Sequence, residues 1–117
     1  MIVRLPGSVP TRSRAVVHGG LVYAVAVSPD KTPSVYDQTR LALAAIDRAL
    51  ADAGTDKTRI LTATVFIADM AEKPAMNRAW DEWVSPEDPP LRACLGVTLE
   101  GEDRVEILVT AALPEGP

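Results

Sequence analysis

The sequence predicts an α+β fold, a five- to six-stranded mixed sheet with two helices covering one of its faces. Three observations predict it. Two stretches carry apolar residues at the three- and four-residue spacing of a helix. Six others are short, rich in β-branched residues and bounded by Gly and Pro. Their order, β-β-β-α-β-α-β-β, supplies too few helices to cover both faces of the sheet.

Taken in order, Met1 to Leu5 is a short strand ended by Pro6-Gly7, and Ser8 to Ser13 is loop. Arg14 to His18 and Leu21 to Val27 form a hairpin across Gly19-Gly20, a dipeptide suited to the positive φ of tight hairpin turns. LVYAVAV is apolar on both faces, which predicts a central strand covered twice. His18 is read as a solvated strand end. After a loop at Pro29 to Pro33 comes a helix whose N-cap is Ser34, with Asp37 in the acidic position of a capping box. Its stripe is Tyr36, Thr39, Leu43, Ile46, Leu50 and Ala53, and Gly54 stands where a C-cap glycine belongs. A strand from Ile60 to Ile67 follows, with Leu61, Ala63, Val65 and Ile67 as its apolar row. The second helix spans Glu72 to Val84, Pro74 in its first turn and Met76, Ala79, Trp80 and Trp83 as its buried stripe. Ser85 to Pro90 is a rigid acidic loop. It delivers the chain to two last strands, Leu91 to Val97 and Arg104 to Ala112, read as a hairpin around Gly101.

Composition narrows the function classes. A chain of 117 residues is expected to form one domain, 1–117, burying roughly two thirds of its unfolded surface. A net charge of −4 argues against a nucleic-acid partner, because a phosphate backbone binds where basic side chains displace its counterions. A single cysteine makes no internal disulfide and suits a reducing, cytoplasmic location. The start, MIVRLPGS, has no apolar leader, and the longest apolar run, 21–27, falls far short of the roughly twenty residues that span a bilayer. No membrane partner is expected. The uncovered sheet face is half apolar (Thr62, Thr64, Phe66, Leu108), which marks an interface and predicts an oligomer. Polar residues at its rim would then lie between subunits, a common place for a ligand pocket.

The last two strands concentrate the polar chemistry. Alternation places Leu91, Ala93, Leu95 and Val97 on one face and Arg92, Cys94 and Gly96 on the other. In the second strand Val105, Ile107, Val109 and Ala111 are the apolar row, opposite Arg104, Glu106, Leu108 and Thr110. On this reading Arg92, Cys94 and Glu106 all leave the core on one sheet surface. They make either a small polar pocket or an ordinary solvated strand face. With hairpin pairing, facing residues have numbers summing to about 201 or 202. Arg92 and Glu106 then stand some three residues apart, roughly 10 Å, too far for a salt bridge; if the strands carry a site, the two share its pocket without touching, with Cys94 on its wall.

The run LTATVFIADMAEKPAMNRAWDEWV, followed by PPLRAC and VEILVTAA, resembles the RidA (YjgF) family, and the likeness extends from about Arg14 to Ala112. The resemblance implies a chorismate mutase-like sandwich assembled as a trimeric barrel, with sites in the clefts between subunits. It implies hydrolysis of reactive enamines and imines to 2-keto acids and ammonia, without metal or cofactor. By position, Arg92 matches the arginine that holds the substrate carboxylate, and its planar fork suits bidentate binding. Glu106 matches the carboxylate that orients the attacking water. Cys94 matches a pocket-wall cysteine and Asn77 a helix asparagine. Arg12 stands where the family's deaminases usually have tyrosine. Val25, Ala26 and Val27 replace Ser-Gly-Gln, so a serine hydroxyl is lost and Ala26 offers its backbone N–H behind a Cβ that narrows the approach. The expected function is a deaminase of small amino-acid-derived imines with altered specificity. The alternatives are a non-catalytic trimer that binds small carboxylates as a sensor or chaperone-like partner, and a purely structural oligomer.

Overall fold

Apolar alternation and well-placed glycines build a single six-stranded sheet, and two amphipathic helices lie on one side of it. The computed structural model describes residues 1–115; the last two residues of the expected domain, 116 and 117, lie outside the described residues. The elements are β1 (Val3–Pro6), β2 (Ser13–His18), β3 (Leu21–Val27), α1 (Val35–Ala53), β4 (Ile60–Ile67), α2 (Lys73–Trp83), β5 (Leu91–Gly96) and β6 (Val105–Ala112). Short 3₁₀ turns, Lys57–Arg59 and Met70–Glu72, lead into β4 and α2. No helix among the described residues is long and apolar enough to cross a membrane.

Local signals account for most of these boundaries. Gly19 and Gly20 have φ of 61° and 80°, the left-handed backbone that a two-residue hairpin turn requires. The Ser34 side chain accepts a hydrogen bond from the Asp37 N–H at 3.1 Å, and Gly54 closes α1 at φ 95°. Leu43, Ile46 and Leu50 are buried in the helix–sheet layer, each contributing about 2 kcal/mol. The second helix starts at Lys73, with Asp69 capping the preceding 3₁₀ turn through Ala71 N–H. Trp83 ties the helices together: its indole N–H donates to Asp47 on α1 at 2.9 Å, and its ring lies 5.4 Å from that of Trp80.

Three expectations are corrected. The first strand runs Val3–Pro6 rather than Met1 to Leu5 and holds an edge position, where a proline without an N–H is tolerated. In β4 an irregularity between Ile60 and Thr62 puts Ile60 in the core and leaves Leu61 49% exposed, so Leu61 leaves the apolar row. The largest correction concerns the last two strands. Strand order is β1-β2-β3-β6-β4-β5, so β5 and β6 are not a hairpin; β4 lies between them. β5 pairs parallel to β4, whereas β6 is antiparallel to both β3 and β4. The physical reason is the crossover: a strand, a helix and a second strand, β4-α2-β5, return naturally as a parallel pair.

Candidate functional site

The strand order decides which side chains can share a surface. Arg92 is paired with Ala63 and Cys94 with Val65, both buried on the helix side of β4. Arg92 and Cys94 therefore also face the helices. Their neighbours Leu91 (73% exposed) and Leu95 (43% exposed) look out from the uncovered face. On β6 the buried row is Val105, Ile107, Val109 and Ala111, so Glu106 lies on the uncovered face beside Phe66 and Val27. The expected sharing of one surface by Arg92, Cys94 and Glu106 is thus overturned within a protomer. Arg92 and Glu106 stand on opposite faces with β4 between their strands. Alternation alone misplaces β5 because both of its rows sit beside apolar surface, and only its register against β4 shows which row meets the helices.

Arg92 occupies the outer edge of the sheet, half-buried. Its guanidinium carbon lies 5.2 Å from the centre of the Trp80 ring, and Nη1 donates to the Met76 sulfur at 3.8 Å. Among the described residues it makes no ion pair with a carboxylate. A stacked guanidinium whose donors lack an oxygen acceptor is arranged to receive an anion. Cys94 packs half-buried against the core beside it. Next to Met76 and three residues before Trp80, Asn77 on α2 has its Oδ1 buried with no hydrogen-bond partner among the described residues.

Glu106, on the central strand β6, lines a cleft of about 300 Å³ with Ser8, Arg12, Val25, Val27 and Glu100 among its walls. Ala26 borders the same cleft, but it pairs with Ile107 and packs against the core, so its methyl is directed to the helix side. The expectation that this Cβ narrows the approach is corrected: Val25 and Val27, on the Glu106 side, do so. Two larger hollows, about 620 and 610 Å³, open among surface loops. The first shares Arg12 with the Glu106 cleft; the second contains neither Arg92 nor Glu106. Among the described residues no three His, Cys, Asp or Glu side chains gather to hold a metal ion.

Sequence reasoning missed the residue that holds the Glu106 strand in place. Gln38, on α1, is fully buried. Its Nε2 donates to Thr32 O at 2.7 Å and to Glu102 O at 3.1 Å, while its Oε1 accepts from Arg104 N–H at 2.9 Å. Arg104 O in turn accepts from Ala68 N–H at 2.9 Å. A Lys31–Asp103 ion pair closes the same corner. The available signal was a polar side chain on the buried face of a helix, next to Thr39 in the stripe.

Residues 6–113 match the family described as Endoribonuclease L-PSP. A RutC family protein of Haemophilus ducreyi is 45% identical over 103 residues, spanning 86% of this chain and 88% of that one. The chain belongs to the RidA (YjgF) family. The RutC family protein YoaB of Escherichia coli is 36% identical over 102 residues, across 86% of this chain and 90% of its own length. A YjgF-family crystal structure from Neisseria meningitidis superposes with a TM-score of 0.93 at 36% identity, over 99% of this chain and 98% of that one. The six-stranded mixed sheet with two helices is therefore the RidA-family fold.

Proposed function

We propose that this RidA-family chain is a hydrolytic deaminase of small enamines and imines derived from amino acids, acting at sites shared between neighbouring copies of a homotrimer. One observation carries the reading. Arg92 and Glu106 lie on opposite faces of the same sheet, so a site that uses both must take them from two copies. Arg92 is on the edge strand, where a neighbouring copy can approach its guanidinium, and Glu106 is on the uncovered face that a neighbour would cover. That face exposes Tyr23, Leu91, Leu95 and Leu108, an apolar surface of the kind that association buries.

In the shared cleft, Arg92 of one copy holds the substrate carboxylate through paired N–H donors. Glu106 of the next accepts a hydrogen bond from a water and aligns it on the C=N carbon. The water oxygen bonds to that carbon and its proton passes to the nitrogen. The hydroxyl of the resulting carbinolamine then gives its proton to the nitrogen, its oxygen forms the keto C=O as the C–N bond breaks, and ammonia leaves the 2-keto acid. Cys94 and Asn77 belong to the Arg92 side of this cleft and Ala26 to the Glu106 side. RNA is not the expected substrate, since a net charge of −4 gives its phosphate backbone little to bind.

One feature favours a second reading. Val25 and Val27 put methyl groups where a hydroxyl and an amide would help a water, which suits a pocket that binds small carboxylates without turnover. A complementation experiment separates the readings. Imines are generated in situ and the keto acid is followed. R92A and E106Q are each expected to be inactive. Co-refolded in equal amounts, they should restore about a quarter of the clefts, because a closed ring of copies pairs intact halves from different chains. A mixture shown by mass spectrometry to have exchanged subunits, yet without activity, would remove the shared site. An inactive wild type whose melting rises with 2-keto acids would establish the binding role instead.

A further inference from the structure

The Glu106 cleft contains a cation that water activation does not use. Arg12 lines the cleft with Glu106 and also the hollow that continues past it toward Arg4. Its backbone is held from both sides: the Gly7 N–H donates to Arg12 O at 3.1 Å, and the Arg12 N–H to Val9 O at 3.4 Å. The fit is close enough that a Cβ on Gly7 would stand 2.6 Å from the Arg12 carbonyl oxygen. The neighbouring cation is engaged, since Arg14 pairs with Asp52 at 2.8 Å and donates to Pro6 O at 3.1 Å. Among the described residues Arg12 makes no ion pair. Of the three acidic groups on the cleft wall, Asp103 is bound by Lys31 and Glu106 is assigned to the water, which leaves Glu100 on an exposed turn as the further competitor for Arg12.

We infer that Arg12 is a specificity residue that binds a second carboxylate, so that the preferred substrates are imines of acidic amino acids. This rests on the deaminase reading for turnover and, for binding, on the cleft as completed by Arg92 of a neighbouring copy. In the shared site, Arg92 takes the carboxylate next to the reacting carbon, and Glu106 stands at that carbon. The substrate side chain then runs along Val25 and Val27 toward Arg12. Methylene groups lie against the two valines, and a terminal carboxylate meets the guanidinium. A neutral side chain would leave that cation without a partner, so selectivity comes from the charge-assisted pair.

Two measurements test this separately from the deaminase reading. In the first, titration calorimetry compares 2-oxoglutarate with 2-oxobutanoate on the wild-type protein and on R12Q. The wild type should prefer the dicarboxylate at least tenfold, about 1.4 kcal/mol, and R12Q should bring the ratio near one. G7A, which displaces the Arg12 carbonyl without removing charge, should lower the same ratio. Equal wild-type affinities, as expected if Glu100 neutralised Arg12, would overturn the inference. So would a preference that survives in R12Q. In the second, imines are made in situ from glutamate and from alanine, and the ratio of kcat/KM is followed across the same variants. Binding selectivity without turnover of either imine would refute the deaminase reading and leave the Arg12 site standing.

Discussion

Replacing Gln38 with leucine removes three hydrogen bonds at the corner that positions β6, with an apolar side chain one bond shorter. Thr32 O and Glu102 O lose a donor, and Arg104 N–H loses its acceptor. Each group left unpaired away from water costs about 1–3 kcal/mol. Thr32 and Arg104 are only half-buried and Glu102 is exposed, so the low end applies and about 3 kcal/mol is expected in total. For a chain of 117 residues, unfolding entropy near 2.1 cal/mol/K per residue converts that to a Tm lower by about 12 °C. The assay is thermal unfolding at one fixed protein concentration, because association would also move Tm. Turnover should fall at temperatures where the variant is folded, since Arg104 is two residues from Glu106 on the same strand. Q38E provides the control. It keeps the acceptor for Arg104 but places a carboxylate against two carbonyls, so it should be less stable than Q38L at neutral pH. Its carboxyl would titrate above the unfolded value and regain stability as pH falls. A Tm for Q38L within about 2 °C of wild type would refute this account of how the corner is held.

Other substitutions probe separate parts of the structure. R92A should abolish turnover while costing only about 1 kcal/mol of stability, the worth of its stacking on Trp80. R92K should retain the charge but lose at least tenfold in kcat/KM, and wild-type activity in R92K would remove the two-pronged anchor. L108D puts a charge at the centre of the uncovered face, between Val25 and Thr64 in the register. Light scattering should show the proposed trimer lost while far-UV circular dichroism is retained; a trimer mass unchanged from wild type would take this face out of the proposed interface. Asp56 accepts hydrogen bonds from the Thr58 hydroxyl and backbone N–H, which hold its carboxyl below the ordinary 3.8. A depressed folded-state value stabilises above the unfolded value and is lost as pH falls through the folded one. D56N should therefore be slightly less stable than wild type at pH 7, with the difference shrinking below pH 3.8; a gap constant down to pH 2 would contradict that sign.

The sequence by itself determined what depends on near neighbours. Ser34 and Gly54 bound the first helix because a cap is satisfied within one turn. Gly19-Gly20 makes its hairpin because the turn needs only two positive φ values. The helix stripes, the candidate residues Arg92 and Glu106, and the family likeness were legible in the same way. Strand order and sidedness were not. Alternation states that Arg92 and Leu91 point in opposite directions, but not which direction is inward. With apolar residues on both faces of β5, that choice belongs to its parallel register on β4, reached through α2. Gln38 shows the same limit, because two of its partners lie 64 and 66 residues away. Tertiary structure alone decided that Arg92 faces the helices and Glu106 the open side, since hydrophobic period specifies a face, whereas pairing between distant strands specifies which face it is.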